Sequence, residues 1–142
     1  MSKSVILKGR GVVRGKGIGK ALISAKPISF FGDINPETGE IIAEDNPLKG
    51  VSIAGKVFIF PYGRGSTVGS YIIYRLKKAG KAPVAIVNVR TEPIIAVGCV
   101  IAQIPLVDML DKNPIEAIPT GSLVEVDGTM GIVKIIRRKK CI

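Results

Sequence analysis

The chain contains 142 residues, of which 46% are hydrophobic and 23% are charged, and its formal net charge is +10. This composition is typical of a globular protein and excludes a disordered one, and the length suits one domain spanning residues 1–142. No apolar run approaches the roughly 20 residues of a membrane span, and the N-terminus lacks the apolar core of a signal peptide. We therefore expect a cytoplasmic protein with no membrane partner.

The positive charge is concentrated at the two ends of the chain. Residues 1–26 carry seven cations and no acid, and residues 134–140 carry five cations and no acid. Basic arms can bind nucleic acid, but only 5% of the residues are aromatic, and no stretch alternates basic and aromatic residues to form a stacking platform. We expect no nucleic-acid partner, although a basic nucleic-acid-binding module is the alternative from another class. A docking surface for an acidic partner, or a route for a small anion, suits the charge at least as well, and the 137–140 tail is most simply a solvated terminus.

The side chains that usually hold metals or act as nucleophile partners are scarce. The chain has no histidine, which argues against a Ser-His-Asp triad. Its two cysteines, Cys99 and Cys141, form neither a disulfide framework nor a Cys-x-x-Cys motif. We expect no metal site in this chain.

The first third of the chain reads as short strands and turns. Residues 5–7 predict a strand, and five glycines follow at alternate positions between residues 9 and 19. No long helical pattern comes after them, so they indicate close backbone approach or bulges and not a nucleotide loop. Residues 21–25 predict the next strand, residues 30–39 a loop with Asn-Pro and Thr-Gly turns, and residues 41–42 a possible small strand.

The middle of the chain predicts a β-α-β unit. Residues 57–60 and 85–89 are apolar strands, and the helix between them starts near Thr67. At spacings of three and four, one apolar face of this helix is predicted to carry Val68, Tyr71, Ile72, Leu76 and Ala79.

The last third predicts a helix, a strand and a hairpin. Residues 93–102 are apolar throughout and begin with proline, which favours a short buried helix that contains Cys99 as an ordinary core thiol. Residues 104–107 predict a brief strand. Residues 122–126 and 130–136 predict a β-hairpin with an Asp127-Gly128 turn.

The loop between the first strand and the helix of the β-α-β unit is the strongest functional signal. It reads Gly63-Arg64-Gly65-Ser66-Thr67 and ends where backbone N–H groups and the positive end of the helix dipole converge. With the cation of Arg64 beside them, these features predict an anion site. The Lys-Ser/Thr ending of a phosphate-binding loop is missing, and Val68 stands where a nucleophile elbow needs its second glycine.

Two interpretations of Ser66 follow from its position. Serine is among the best residues for capping a helix N-terminus, where it stabilises the helix by about 1 kcal/mol. Alternatively, Ser66 is a reactive hydroxyl, with Gly63 and Gly65 allowing the backbone to approach a substrate closely.

Three segments resemble one protein family. They are Ser29-Phe-Phe-Gly-Asp-Ile-Asn-Pro-Glu-Thr-Gly39, Gly63-Arg-Gly-Ser-Thr-Val-Gly-Ser-Tyr71 and Pro93-Ile-Ile-Ala-Val-Gly98, and they are similar to the small subunit of aconitase X. The likeness spans nearly the whole chain. It implies an α/β fold, the swivelling β/β/α domain of aconitases, in three layers. Phosphotransferases that use phosphoenolpyruvate share this domain, but they need a phospho-accepting histidine, which this chain lacks.

The resemblance implies a hydro-lyase built from two chains. A large subunit carries an iron–sulfur cluster, and the small subunit closes over it and supplies a serine proton acceptor, which is Ser66 here. Arg64, Gly65 and Thr67 would then bind the substrate or activate the base, and the loops around Ser66 and Asp33 should lie exposed on one face.

The family does not fix the substrate. Members dehydrate either 5-phosphomevalonate, in archaeal isoprenoid synthesis, or cis-3-hydroxyproline. The short separate chain and its excess of cations favour a phosphorylated hydroxy acid. A purely structural partner subunit remains an alternative.

Overall fold

The structure, a computed structural model, describes residues 5–137. The strands are β1 (Val5–Lys8), β2 (Arg10–Val13), β3 (Lys16–Ile23), β4 (Val57–Phe60), β5 (Ala85–Asn88), β6 (Leu106–Asp108), β7 (Leu123–Asp127) and β8 (Ile132–Arg137). The helices are α1 (Phe30–Asp33), a single distorted turn, α2 (Val68–Lys78), α3 (Pro93–Ala102) and α4 (Pro114–Ala117). Among these residues no helix has the length and apolar character needed to cross a bilayer.

The described strands form one sheet in the order β1-β8-β7-β3-β4-β5-β6-β2. The four strands β3, β4, β5 and β6 run parallel, and α2 and α3 connect β4 to β5 and β5 to β6, as the predicted β-α-β unit requires. The flanking pairs are antiparallel. β3 belongs to both parts, because residues 16–20 pair with β7 and residues 21–23 pair with β4.

The parallel strands are buried on both faces, and each face belongs to a different core. Along β4, Val57 and Ile59 pack in a cluster with residues of β1, β7 and β8. Phe58 and Phe60 point the other way, into a cluster with the helical residues Ile73 and Leu76 among others. Side chains alternate across a strand, so one sheet can separate two cores. The antiparallel strands β1, β7 and β8 of this sheet therefore pack on one face of its parallel part, and the helices pack on the other face, which confirms the predicted three-layer β/β/α arrangement.

The alternating glycines near the N-terminus lie where backbones approach closely, as the sequence predicts. A Cβ atom on Gly19 would lie 2.8 Å from the carbonyl oxygen of Gly55, and one on Gly17 would collide with the carbonyl of Val84. The predicted start of the next strand at residue 21 is wrong, because β3 begins at Lys16 and includes Gly17 and Gly19.

The two central helices differ from prediction in what they bury. In α2, Val68 and Tyr71 are exposed, whereas Gly69 and Ile73 are buried. Gly69 faces α3, where a Cβ atom would lie 3.3 Å from Ile94, so the contact between helices sets the buried face. In α3 only one side is buried, and the opposite side leaves Val100 exposed.

Two smaller predictions also change. Residues 41–42 form no strand, because Ile41 makes only an isolated bridge to Ile34. The C-terminal hairpin is confirmed, but its turn is longer than an Asp-Gly pair. The Asp127 carboxylate accepts hydrogen bonds from the backbone N–H groups of Thr129 and Met130, and Gly131 closes the turn with a φ of +72°.

Candidate functional site

The candidate loop lies at the edge of the sheet where the parallel strands end. Residues 61–67 follow β4, residues 24–34 follow β3, and residues 89–92 follow β5. The carboxyl ends of parallel strands meet at one edge, which is where open α/β sheets commonly bind ligands. The predicted loop is therefore placed between two neighbouring loops at that edge.

The segment after β3 holds the candidate loop by backbone hydrogen bonds and an ion pair. Ile28 N–H donates to the carbonyl of Tyr62 at 3.2 Å, and Arg64 N–H donates to the carbonyl of Ile28 at 3.0 Å. The Arg64 guanidinium lies 3.5 Å from the Asp33 carboxylate, which also accepts a 2.8 Å hydrogen bond from Ser29 N–H. The loops around Ser66 and Asp33 therefore lie on one face, as predicted.

The two glycines of the loop are both required by packing within this chain. Gly65 has a φ of +94°, and a Cβ atom there would collide with the hydroxyl of Ser29. Gly63 is buried, and its Cβ would strike Ile95 and lie 3.2 Å from Glu92 Oε1. These contacts explain the glycines without a substrate, so close substrate approach at either residue stays a prediction.

Ser66 is exposed, and its hydroxyl oxygen accepts a 3.1 Å hydrogen bond from Val68 N–H at the start of α2. The N-cap position itself is occupied by Thr67, whose side chain makes no capping bond. Ser66 therefore serves the first turn from one residue earlier than a standard cap. A backbone donor and the helix dipole also stabilise negative charge on this oxygen, which a serine base requires.

The cations near the loop are partly neutralised by carboxylates. A cavity of about 370 Å³ is lined by Lys26, Asp33, Asp45, Asn46 and Arg64 among others. Lys26 lies 3.5 Å from Asp45, as Arg64 does from Asp33. The Lys26–Asp45 pair is loose enough to exchange partners when another anion arrives, since exposed ion pairs contribute only about 0–1 kcal/mol.

A second network supports the site from the β5–α3 side. Asp108, fully buried at the end of β6, accepts two hydrogen bonds from the Arg10 guanidinium, at 2.9 and 2.8 Å, and one from Thr91 N–H at 2.8 Å. Burial acts to raise the pKa of Asp108, but the hydrogen bonds from Arg10 and Thr91, with the charge of Arg10, hold it below its ordinary value. Glu92, which follows Thr91 in the chain, caps α3, because its side chain accepts a 3.2 Å hydrogen bond from Ile95 N–H.

The sequence analysis missed this network and the buried amide of Asn88, whose Nδ2 donates to the carbonyl of Phe60 at 3.1 Å. A signal for both was present. Asn88 and Asp108 are single polar residues that end otherwise apolar parallel strands, the position from which side chains reach the ligand edge.

The donor set of the described residues does not fit an iron–sulfur cluster. No three His, Cys, Asp or Glu side chains come together between residues 5 and 137. The cysteine found there, Cys99, is buried in the core, and burial raises its pKa far above the ordinary value, whereas cluster ligands are thiolates. Cys141 and most of the basic 137–140 tail lie outside the described residues.

The three-layer fold carries the exposed serine loop at the ends of its parallel strands. Residues 6–135 match the family described as the aconitase X swivel domain. The chain belongs to this family, which confirms the resemblance found in the three segments.

Named relatives and a solved structure agree with this assignment. The chain is 54% identical to the phosphomevalonate dehydratase small subunit of Methanosarcina acetivorans, over 94% of this chain and 92% of the relative. It is 51% identical to the small subunit of the same name from Methanosarcina mazei, over 92% and 91%. The crystal structure of Thermococcus kodakaraensis aconitase X in its holo-form superposes with a TM-score of 0.89 at 47% identity, covering 94% of this chain and 99% of that chain.

Proposed function

We propose that this chain is the small subunit of a phosphomevalonate dehydratase, a hydro-lyase that converts 5-phosphomevalonate to trans-anhydromevalonate 5-phosphate and water. The observation that carries the proposal is the near full-length identity, between 44% and 54%, to eight archaeal proteins named as that subunit. A small subunit implies a large one, so the functional unit is a complex of two chains, acting in the cytoplasm in isoprenoid synthesis. A cis-3-hydroxyproline dehydratase is the alternative within the family.

Ser66 is the proposed proton acceptor. Dehydration of a 3-hydroxy acid removes a proton from the carbon next to the carboxylate and a hydroxyl group from the following carbon. The Ser66 side chain is exposed, and the backbone N–H of Val68, 3.1 Å from its oxygen, would stabilise the alkoxide form.

Arg64, Gly65 and Thr67 complete the proposed site. Arg64 contributes a half-exposed cation to the field around Ser66 and a fork suited to a carboxylate or phosphate. Gly65 gives the loop its turn, and Thr67 is the N-cap residue of α2. We place the iron–sulfur cluster implied by the family in the large subunit, because the described part of this chain gathers no ligands for it.

The proposal is tested by reconstitution. The chain is purified alone and also co-expressed with an aconitase X-type large subunit under anaerobic conditions. We expect the isolated chain to be colourless, iron-free and inactive, and the complex to convert 5-phosphomevalonate, followed by ³¹P and ¹H NMR, with cis-3-hydroxyproline as the control substrate. Stoichiometric iron in the isolated chain, or turnover of cis-3-hydroxyproline alone, contradicts the proposal.

A further inference from the structure

A cavity of about 700 Å³ lies at the edge of the sheet opposite the candidate loop. It is formed where β2 and α3 end and β6 begins, since Val13 of β2 pairs with Leu106 and Gln103 ends α3. The candidate loop follows the carboxyl end of β4, so the parallel strands separate the two places. A volume of this size, within about 300–1,000 Å³, is typical of small-molecule sites. The lining includes Val12, Val13, Arg14, Gly15, Val100 and Gln103.

Valine side chains give the cavity an apolar wall. Val13 is buried and Val12 packs against the larger core, whereas Val100 is 60% exposed on the outer side of α3. Val97 and Ile101 are also exposed on that helix, at 50% and 55%, so the apolar surface continues beyond the cavity. Covering this surface with an apolar group is favourable, because it removes apolar area from water.

Two polar side chains at the cavity have no partner within residues 5–137. Arg14 is exposed and takes part in none of the ion pairs of that range, and the side-chain amide of Gln103 is equally free. Among the described residues no carboxylate lines the cavity, whereas Arg64 at the candidate loop lies 3.5 Å from Asp33. An uncompensated guanidinium beside an apolar wall is complementary to an anion that carries an apolar group.

The backbone of Gln103 is an independent sign of function at this place. Its φ is +56°, in the left-handed region, where the chain closes the end of α3 and Ile104 N–H donates to the carbonyl of Cys99 at 2.9 Å. Glycine usually occupies such a position, because a Cβ atom makes the left-handed region unfavourable. Residues held in unfavourable backbone conformations cluster at functional sites, and the Gln103 amide lies at the cavity.

We propose that this cavity binds an amphipathic anion, a small molecule with an apolar chain and a carboxylate or phosphate head. Arg14 and the amide of Gln103 hold the head, and the valines of β2 and α3 cover the chain. The site goes beyond the proposed dehydratase function and does not depend on it. Because the cavity and the Ser66 loop lie at opposite edges of the parallel strands, the two ligands bind without competing for space.

The test is a ¹H–¹⁵N NMR titration of the purified chain with four probes. Octanoate and octyl phosphate distinguish the two kinds of head, octanol lacks the charge, and acetate lacks the chain. We expect octanoate, octyl phosphate or both to shift the amide signals of residues 12–15 and 100–104 while those of residues 63–68 stay in place. Octanol and acetate should bind at least about fivefold more weakly, since even an exposed charge contact can contribute that factor.

Variants separate binding from folding. Arg14→Gln should weaken binding of the preferred amphiphile by about fivefold or more, whereas Arg75→Gln, which removes the same charge from an exposed position on α2, should leave it unchanged. Gln103→Gly should raise the midpoint of urea unfolding, because it relieves the left-handed backbone, and yet weaken binding roughly threefold. A gain in stability with a loss of affinity is not expected of a residue that serves the fold alone.

Four results would overturn the proposal. They are no shift with either anionic amphiphile, equal affinity for octanol, shifts confined to residues 63–68, and an equal loss of affinity in Arg14→Gln and Arg75→Gln. The third would assign the anion to the candidate loop, and the fourth would reduce the effect to net charge. All four leave the dehydratase function standing, because the reconstituted complex tests that function separately.

Discussion

At the scale of single residues, Gly65 is where the backbone of the candidate loop is most constrained. Its φ is +94°, and its missing Cβ leaves room for the Ser29 hydroxyl, which in turn bonds to Phe31. Gly32 offers a comparison within the same region, because its φ is +114° but nothing lies within 4 Å of a Cβ placed there. The two glycines therefore separate the cost of an unfavourable φ from the cost of a steric collision.

We expect Gly65→Ala to lower the free energy of unfolding by about 1–2 kcal/mol more than Gly32→Ala, since overpacking typically costs 1–3 kcal/mol beyond backbone strain. Urea denaturation of the isolated chain measures both variants. Equal losses in the two would mean that the Ser29 contact contributes nothing.

Asp108 supplies a pH-dependent prediction. Replacing it with asparagine removes a charged acceptor from Arg10 and Thr91, and hydrogen bonds to charged groups contribute about 1.5–3 kcal/mol, so we expect a loss of about that size at pH 7. Because the pKa of Asp108 is lowered in the folded chain, its contribution is complete above the unfolded pKa, about 3.9, and is lost as the pH falls through the lower folded value.

The stability difference between the wild type and Asp108→Asn should therefore narrow when unfolding is measured below pH 4 (roughly the unfolded carboxyl pKa). Glu44→Gln is the control, because Glu44 forms an exposed ion pair with Lys49. This variant should lower the free energy of unfolding by less than about 1 kcal/mol. If the stability difference between the wild type and Asp108→Asn stays constant from pH 7 to pH 2.5 (about four units spanning the unfolded carboxyl pKa), this role for the Asp108 charge is ruled out.

The sequence predicts residue roles best where one local rule decides them. Cys99 is a core thiol, as its apolar surroundings predict, and the loop residues Arg64, Gly65 and Ser66 lie exposed at the strand ends. The partners of Asp33 and Asp108 could not be predicted, because Arg64 and Arg10 are 31 and 98 positions away in the chain and only the tertiary fold brings them together.

At the scale of elements, the contact between α2 and α3 positions the loop. Gly98 of α3 faces α2, and a Cβ atom there would lie 2.7 Å from Ile73 Cδ1 and 3.2 Å from Ser70 Cα. Ser70 also donates a 2.6 Å hydrogen bond to the carbonyl of Ile94. The first turns of the two helices are thereby fixed against each other, with the Ser66 loop leading directly into one of them.

We predict that Gly98→Ala destabilises the chain by about 1–3 kcal/mol, because overpacking outweighs the gain of roughly 1 kcal/mol in helix propensity. Ile73→Val removes the Cδ1 methyl and should restore part of the loss in the double variant. Thermal and urea unfolding of the two single variants and the double variant give the coupling energy, and strictly additive effects would contradict the contact.

The bounds of α3 and β4 are predicted to the residue, because proline opens the helix and Pro61 ends the strand. The buried face of α2 is predicted only in part, because Ile72 and Leu76 are buried whereas Val68 and Tyr71 are exposed. Apolar residues occur on two sides of that helix, and periodicity alone cannot distinguish the side that packs on α3 from the exposed side that carries Val68 and Tyr71.

At the scale of the whole molecule, a sheet buried on both faces carries its functional loops at one edge. The two cores on either side of β4 and β5 give these loops a stiff base. In the proposed complex, the large subunit would close over this edge as one body moving against the other, which would let substrate enter and exclude water. The fold class follows from the sequence pattern and the family, whereas the extent of the domain over residues 1–142 stays a prediction.

The most direct test of the proposed function is Ser66→Ala in the reconstituted complex, with Thr129→Ala as the matched control. The Ser66 hydroxyl accepts a 3.1 Å hydrogen bond from Val68 N–H, and the Thr129 hydroxyl accepts one of the same length from Gly15 N–H. Thr129 lies in the β7–β8 turn and not in the candidate loop. Both variants should lose about 1 kcal/mol of stability. Turnover of 5-phosphomevalonate should fall at least 10²-fold (roughly the contribution of a positioned base) in Ser66→Ala alone, with KM and assembly nearly unchanged. A Ser66→Ala complex with wild-type kcat would contradict the assignment of Ser66 as the base.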